Sequence, residues 1–309
     1  VGTEVYKAVV RSGSNSNFSV NTFGFTGDLM ITTRRSATPY GTYAFSRLTS
    51  SQYIQTSALS VEAASAVSLS SWDMAGFSGT NQNSGSLTND QGVTHVYNMF
   101  KRATGFFDVV AYTGTGSNRT VAHNLGIAPE MMWIKNRGAE EHWAVYHKHY
   151  GGTHWGNLNE ADAFADAANI WNDVDTTSSV FTVGTAANTN QNTKGFIAYL
   201  FGTVDGVSKV GSYTGNGSAL TIDCGFSGGA RFVLIKKSSE AGTFMVFDSV
   251  RGIVSGNDPF VQFNANGNAE VTNTDHIDPH ATGFIVNVGD GNTKDANENG
   301  QTYIFLAIA

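Results

Sequence analysis

The stretch AYTGTGSNRTVAHNLGIAPEMMWIKNR, residues 111–137, returns about a hundred residues later as SYTGNGSALTIDCGFSGGARFVLIKKS, residues 212–238. Both run in the order strand, Gly-rich turn, strand, irregular link, apolar strand, basic end. Tyr112/Tyr213, Thr113/Thr214, Gly114/Gly215, Ile134/Ile235 and Lys135/Lys236 fall in register. The match continues downstream: HWAVYHK (142–148) with TFMVFDS (243–249), SVFTVGT (179–185) with GFIVNVG (283–289), and TKGFIAYLFG (193–202) with NGQTYIFLAIA (299–309). The first third repeats the pattern more faintly. Residues 3–35 supply the opening strands, YAFSRL (43–48) stands where Trp143–His147 stands, and QGVTHVYNMFKRA (91–103) closes the unit. Three tandem units are therefore predicted, 1–104, 105–205 and 206–309. A period this long means whole domains rather than solenoid turns of roughly 20–50 residues.

Within a unit the hydrophobic period is two. SVFTV and GFIVNVG alternate apolar and polar, as half-buried strands do. MMWIK, RFVLIKK and FIAYLF are more continuous, as strands buried on both faces would be. Polar, Gly- and Asn-rich stretches recur between them and read as turns. The one stretch that reads as a helix is short, NEADAFADAAN (159–169), and the third unit lacks it. The expected class is all-β: three tandem β-sandwich domains of jelly-roll or lectin-like type.

Composition supports this class and excludes others. Hydrophobic residues are 40% and aromatics 12%, enough for a packed core, while charged residues are only 14%. The net charge of −7, with no Lys/Arg stripe, speaks against a nucleic-acid partner. No apolar run approaches the roughly 20 residues of a membrane helix, so no membrane insertion is expected. Cys224 is the only cysteine, which excludes an intrachain disulfide framework and a cysteine-based zinc site.

Several residues invite a chemical reading. EEHWAVYHKHYGGTHW brings together Glu140, Glu141, His142, His147, His149 and His154, and His147 and His149 share a strand face. The matching places hold Asp248 and Val250 in the third unit and Ser46 and Leu48 in the first, so a polar strand end is the better reading and no metal site is expected. Asp162 and Asp166 read as solvent-facing charge. DGNTKDANENGQ (290–301) fails as a calcium loop, because its sixth position is Asp295 where glycine is required. GTG (114–116) and GNG (215–217) lie between strands and do not match a phosphate-binding loop. NFS, NRT and NGS are glycosylation sequons by pattern, each in the first turn of its unit. Trp133, Trp143, Trp155 and Trp171 all fall in the second unit, and Trp143 aligns with the core position of Phe244. Trp155, in YGGTHWGN, is the one expected near the surface. Exposed aromatics flanked by Asn, Asp and Gly suit stacking on sugar rings. The candidate glycan contacts at the loop ends are therefore Trp155, Asp290, Asn292 and Asp295. No catalytic residue and no cofactor is expected.

The pattern YTGTGSNRTVAHNLGIAPEMMWIKNR, WAVYH and GFIAYLF resembles the repeated domain of bacteriophage tail-fibre-like structural proteins, especially marine ones. The residues that carry the resemblance are His123, Leu125, Gly126, Pro129, Lys135, Asn136, Arg137, Trp143, Val145, Tyr146, His147, Ala198, Tyr199 and Phe201. It is strong over the second unit. The third departs with Cys224-Gly225-Phe226 and Asp248, and the first departs further. The resemblance implies a virion structural protein, a tail fibre or appendage subunit that assembles with other virion proteins and adheres to the host surface. It also implies a homotrimer, although a chain of three domains can imitate a trimer by itself. A lectin-like carbohydrate-binding module and a capsid decoration protein are the alternatives.

Overall fold

The continuous apolar run of MMWIK is explained by what lies on either side of it. In the computed structural model, which describes residues 5–14, 16–35, 41–64, 68–80, 87–265, 270–287 and 296–309, this strand is buried along its whole length. Met131 and Trp133 point into one apolar cluster, and Met132 and Ile134 into another.

The chain is all-β, and its sheets are antiparallel. The first repeat contributes β1 (Tyr6–Ser12), β2 (Phe18–Val20), β3 (Leu29–Arg34), β4 (Tyr43–Ser46), β5 (Gln52–Gln55), β6 (Ala63–Ala64), β7 (Ser71–Asp73), β8 (Gly76–Gly79) and β9 (Thr94–Phe100). The second contributes β10 (Phe107–Thr113), β11 (Arg119–Ala122), β12 (Met131–Asn136), β13 (Ala144–His147), β14 (His154–Asn157), β15 (Ala165–Asp166), β16 (Val180–Val183) and β17 (Gly195–Phe201). The third contributes β18 (Ser208–Thr214), β19 (Leu220–Asp223), β20 (Phe232–Lys237), β21 (Phe244–Asp248), β22 (Val261–Gln262), β23 (Ile277–His280), β24 (Gly283–Val286) and β25 (Thr302–Ile308).

The main sheets have one order: β1-β9-β3-β4-β5-β6, β10-β17-β12-β13-β14-β15 and β18-β25-β20-β21-β22. The register repeats residue for residue. Leu29, Met131 and Phe232 face Phe100, Phe201 and Ile308 on one side, and Ser46, His147 and Asp248 on the other. A smaller sheet accompanies each main one: β2-β8-β7, β11-β16 and β19-β24-β23.

Two kinds of core follow. Each small sheet packs on the outer face of its own main sheet. Phe18 and Phe77 meet Met30 and Tyr97, Val121 and Phe181 meet Met132 and Ala198, and Ile222 and Phe284 meet Val233 and Phe305. The inner faces of the three main sheets share a single cluster, with Leu29, Phe100, Trp133, Phe201, Leu234 and Leu306 among its members. Ring contacts cross between repeats, with Phe100 and Phe232 centroids 5.6 Å apart, Phe100 and Phe201 6.1 Å, and Trp133 and Phe263 6.0 Å. Period two is thus satisfied with both faces apolar, which is why the strands read as continuous runs.

The repeated Gly-rich turn has a packing cause. A Cβ on Gly13, Gly114 or Gly215 would lie 1.9, 2.2 and 2.2 Å from the carbonyl oxygens of Asp90, Gln191 and Glu298. The second glycine of each later turn, Gly116 and Gly217, has φ of +71° and +69°, a conformation glycine adopts without steric cost. A buried asparagine pins each turn. Asn190 accepts from Thr115 N–H (2.8 Å) and donates to the carbonyls of Ser117 and Gly184 (both 2.7 Å). Asn89 and Asn297 make the corresponding bonds to Ser14 and Ser16, and to Asn216, Ser218 and Val286. Gly114→Ala is expected to destabilise by about 1–3 kcal/mol through overpacking against backbone. Gly138→Ala, whose Cβ would meet only the flexible Lys194 side chain at 3.3 Å, is the near-neutral control. Equal urea midpoints for the two variants would refute the packing account.

The helix expected over 159–169 does not form. After a turn at 158–160 that stretch runs extended through the two-residue β15, and it becomes helical only at α1, Ala168–Trp171. Its N-cap residue is Ala167, which makes no side-chain capping bond. Tertiary bonds hold the arm extended, since Ala161 O accepts from Lys236 Nζ (2.7 Å) and Phe164 N–H donates to Ser238 O (2.9 Å).

Candidate functional site

Of the residues that carry the sequence resemblance, Leu125, Val145, Ala198 and Phe201 are core, and His123, Asn136 and Trp143 are fastenings. His123 Nδ1 accepts from Leu125 N–H at 3.2 Å. Asn136 donates to Ala187 O (3.1 Å) and to Gln191 Oε1 (2.9 Å). Trp143 Nε1 donates across to Gln55 O of the first repeat at 3.0 Å.

The most informative fastenings join one repeat to the next. Lys135 is fully buried, and its ammonium donates to Leu59 O (3.1 Å), Asn136 O (2.8 Å) and Ala139 O (3.4 Å). Burial pulls its pKa down to about 8, while Glu141 and Glu140 push it up. Lys236, its counterpart, donates to Ala161 O and Gly242 O. Each lysine thus grips a carbonyl on the arm of the preceding repeat. Beside them, Arg137 pairs with Glu62 (2.7 Å), and Glu62 N–H donates to Arg137 O (3.1 Å).

The third repeat closes back on the first in the same way. Arg35, the counterpart of Arg137, pairs with Glu270 (2.9 Å) and donates to Val250 O (3.1 Å). Thr33 stands where Lys135 and Lys236 stand, and Arg251 of the third repeat supplies the cation to its hydroxyl. The three junctions therefore run first to second, second to third and third to first.

The fourth strands add a second ring of contacts through Ser46, His147 and Asp248. Ser46 hydrogen-bonds Tyr199 of the second repeat. The His147 ring lies against the backbone of Gly211 and Phe305 in the third, and Asp248 lies 3.5 Å from Asn98 Nδ2 in the first. Burial holds His147 at a pKa of about 3, helped by the neighbouring His149 and Lys148.

His149 sits beside it, its N–H donating to His147 Nδ1 (3.1 Å), while His142 and His154 face other partners. His149 reaches Ser212 Oγ (3.0 Å), His142 meets Asn159 (2.9 Å), and His154 meets Thr153 (2.8 Å). Among the described residues no group of three or more His, Cys, Asp or Glu is placed to hold a metal ion. Trp155, the expected surface aromatic, is half-buried on β14 and packs against the second repeat's own core. Asp290, Asn292 and Asp295 lie outside the described residues.

Two clefts were not foreseen, and they occupy corresponding places. One, of about 250 Å3, lies in the first repeat between the turn after β4 (Arg47, Ser50, Ser51) and the segment Leu69–Trp72. The other, of about 390 Å3, lies in the third repeat between Ser249–Val254 and Pro279–Ala281. The sequence signal was present in part: Trp72, the fifth tryptophan, sits amid serines, in SLSSWD (68–73). Near the third repeat's cleft, burial raises Asp258 to a pKa of about 7 against the N–H groups of Val254 and Ile277, with Asp275 and Asp278 adding to the rise.

A search among curated proteins finds none that matches this chain. With its repeats, junctions and clefts all inside the matched span of residues 2–309, the chain belongs to the family described as a domain of unknown function, DUF7483.

Proposed function

We propose that the protein is a structural component of a bacteriophage virion, a tail fibre or related appendage subunit that acts by assembly and by adhesion to the host surface. In this reading it consists of three tandem β-sandwich domains, 1–104, 105–205 and 206–309, and performs no catalysis. Its partners are other virion proteins, further copies of itself and host surface glycan, and it resides in the particle.

The observation that carries the reading is the cyclic set of junctions. Lys135 to Leu59, Lys236 to Ala161 and Arg35 to Glu270 make one chain into a closed block with three equivalent sides. Such a block suits a place on a threefold axis, where fibre subunits of the resembled kind stand. A buried network that spends its polar groups on rigidity also suits a protein that bears load rather than one that turns over a substrate. The lectin-like alternative draws support from the cleft of the first repeat, which Trp72 lines.

The test is immunogold electron microscopy with antibodies raised against the purified protein, applied to virus particles from the source culture. Label at a tail or appendage is the expected outcome. Label on the capsid shell would replace the fibre with a decoration protein, and label confined to cells would end the virion reading.

A further inference from the structure

The second repeat shows what fits the clefts of the other two. There, the turn Gly151–Thr153 is covered by α1, and Trp171 fills the space beneath it, 1% exposed. Its indole N–H donates to His154 O (3.0 Å), and its ring stands edge-on to Tyr146 at 5.8 Å. The hydrogen bonds identify the counterparts of Trp171. Ile170 O accepts from Thr189 Oγ1, and Ser68 O accepts from Thr88 Oγ1, each threonine preceding the asparagine that pins the Gly-rich turn. Gly184 N–H donates to Ile170 O as Asn287 N–H donates to His276 O. The residues after these carbonyls are Leu69, Trp171 and Ile277. Where the second repeat has an indole, the first and third have a smaller side chain, and in the first that side chain, Leu69, lines the cleft.

We propose that the cleft of the first repeat is a subsite for one pyranose ring of a glycan. The inference rests on the adhesion reading above and names its ligand class. The slot has the size of a flat ring, since its counterpart holds one. Its wall is a second indole, Trp72, half-buried and fixed by a bond from Nε1 to Ser50 O at 3.1 Å. A π face held in place is a surface on which the C–H groups of a sugar ring stack at little entropic cost.

The rim is polar. Ser70 Oγ donates to Ser78 O (3.1 Å) and Ser71 Oγ to Asp73 Oδ1 (2.8 Å), which leaves both hydroxyl oxygens as acceptors for sugar hydroxyls. Arg47 supplies the donors. Asp28, itself bound by Arg102, holds its guanidinium through Nε (3.0 Å) and one terminal nitrogen. A donor fork fixed in this way beside an aromatic wall and two acceptors matches the alternation of C–H faces and hydroxyl edges on a pyranose. No tryptophan lines the third repeat's cleft, so it lacks the stacking wall and is not expected to bind a sugar in this way.

The experiment uses the full chain. Methyl pyranosides of glucose, galactose, mannose and N-acetylglucosamine are titrated to tens of millimolar and followed by saturation-transfer NMR. Two variants accompany the wild type: Trp72→Ala removes the wall, and Leu69→Trp places the second repeat's indole in the slot. Far-UV circular dichroism checks that both are folded. Saturable binding of at least one pyranoside, weakened about tenfold or more in each folded variant, is the expected result. Absence of binding to the wild type overturns the proposal, as does binding unchanged in both variants. If one variant fails to fold, the other decides. Binding without label on particles would end the virion reading and leave the subsite standing. Label without binding would remove the subsite alone.

Discussion

Arg251→Met is expected to lower the stability of the chain by about 3–5 kcal/mol, read as a shift of the urea midpoint. Arg251 and Asp248 are both fully buried, and they pair with each other. Asp248 also accepts from the N–H groups of Val250 (3.2 Å) and Arg251 (3.0 Å). The same guanidinium lies 3.1 Å from Glu270 and donates to Thr33. Removing it leaves the Asp248 carboxylate buried without a cation, and that uncompensated charge is the source of the loss. The first repeat shows how to relieve it, because Ser46 occupies the place of Asp248 without a buried arginine partner. The double variant Asp248→Ser, Arg251→Met is therefore expected to recover more than half of the loss. A double variant as unstable as the single one would refute the account.

The second large effect concerns acid. His147 is neutral in the folded chain, with a pKa of about 3 against an ordinary 6.5. A depressed pKa contributes stability that is present above pH 6.5 and is lost as the pH falls toward 3, because the unfolded chain takes up the proton first. At pH 4 the loss from this one residue is about 3 kcal/mol. His95, also held at about 3 by burial and by Arg34 and Arg11, acts in the same sense. Asp258 acts in the opposite sense. Its raised pKa of about 7 makes its contribution present at low pH and lost as the pH rises from 3.8 to 7. A comparison with His147→Gln isolates the first effect. The stability gap between wild type and variant is expected to narrow by about 3 kcal/mol from pH 7 to pH 4. Parallel curves across that window would contradict it.

Much of the fold is legible in the sequence because the repeats share register. Ser46 aligns with His147 and Asp248, and the strand pairing places them so; Trp143 aligns with Phe244, and both lie in the shared inner core. Burial of MMWIK on both faces follows from its apolar continuity. The short helix was misread because alanine content favours helix locally, while Lys236 and Ser238 hold that arm extended from outside it. The junctions were not legible for a related reason. Lys135 and Lys236 grip carbonyl oxygens of Leu59 and Ala161, and every residue has a carbonyl, so the partner leaves no trace in side-chain identity. The first repeat's cleft was hidden because Leu69, which lines it, reads as an ordinary core residue, as Ile277 does in the third. Only the hydrogen bonds of the neighbouring carbonyls show that they stand at the place of a tryptophan.

The closure of the third repeat on the first sets the order in which the chain can finish folding. Phe232 meets Tyr6 and Phe100, and Arg251 meets Thr33, partners 218 residues apart in the chain. On a ribosome the first two repeats emerge early, and Tyr6, Phe100 and Phe201 then face a partner not yet made. At about 5–20 residues per second, that interval lasts roughly 5–20 seconds. During it the inner faces of β9 and β17 are an exposed apolar surface, able to pair with the same surface on a neighbouring nascent chain. A truncation lacking the third repeat would hold the protein in that condition permanently, so its yield of soluble product, relative to the full chain, measures how far synthesis depends on the last hundred residues arriving in time.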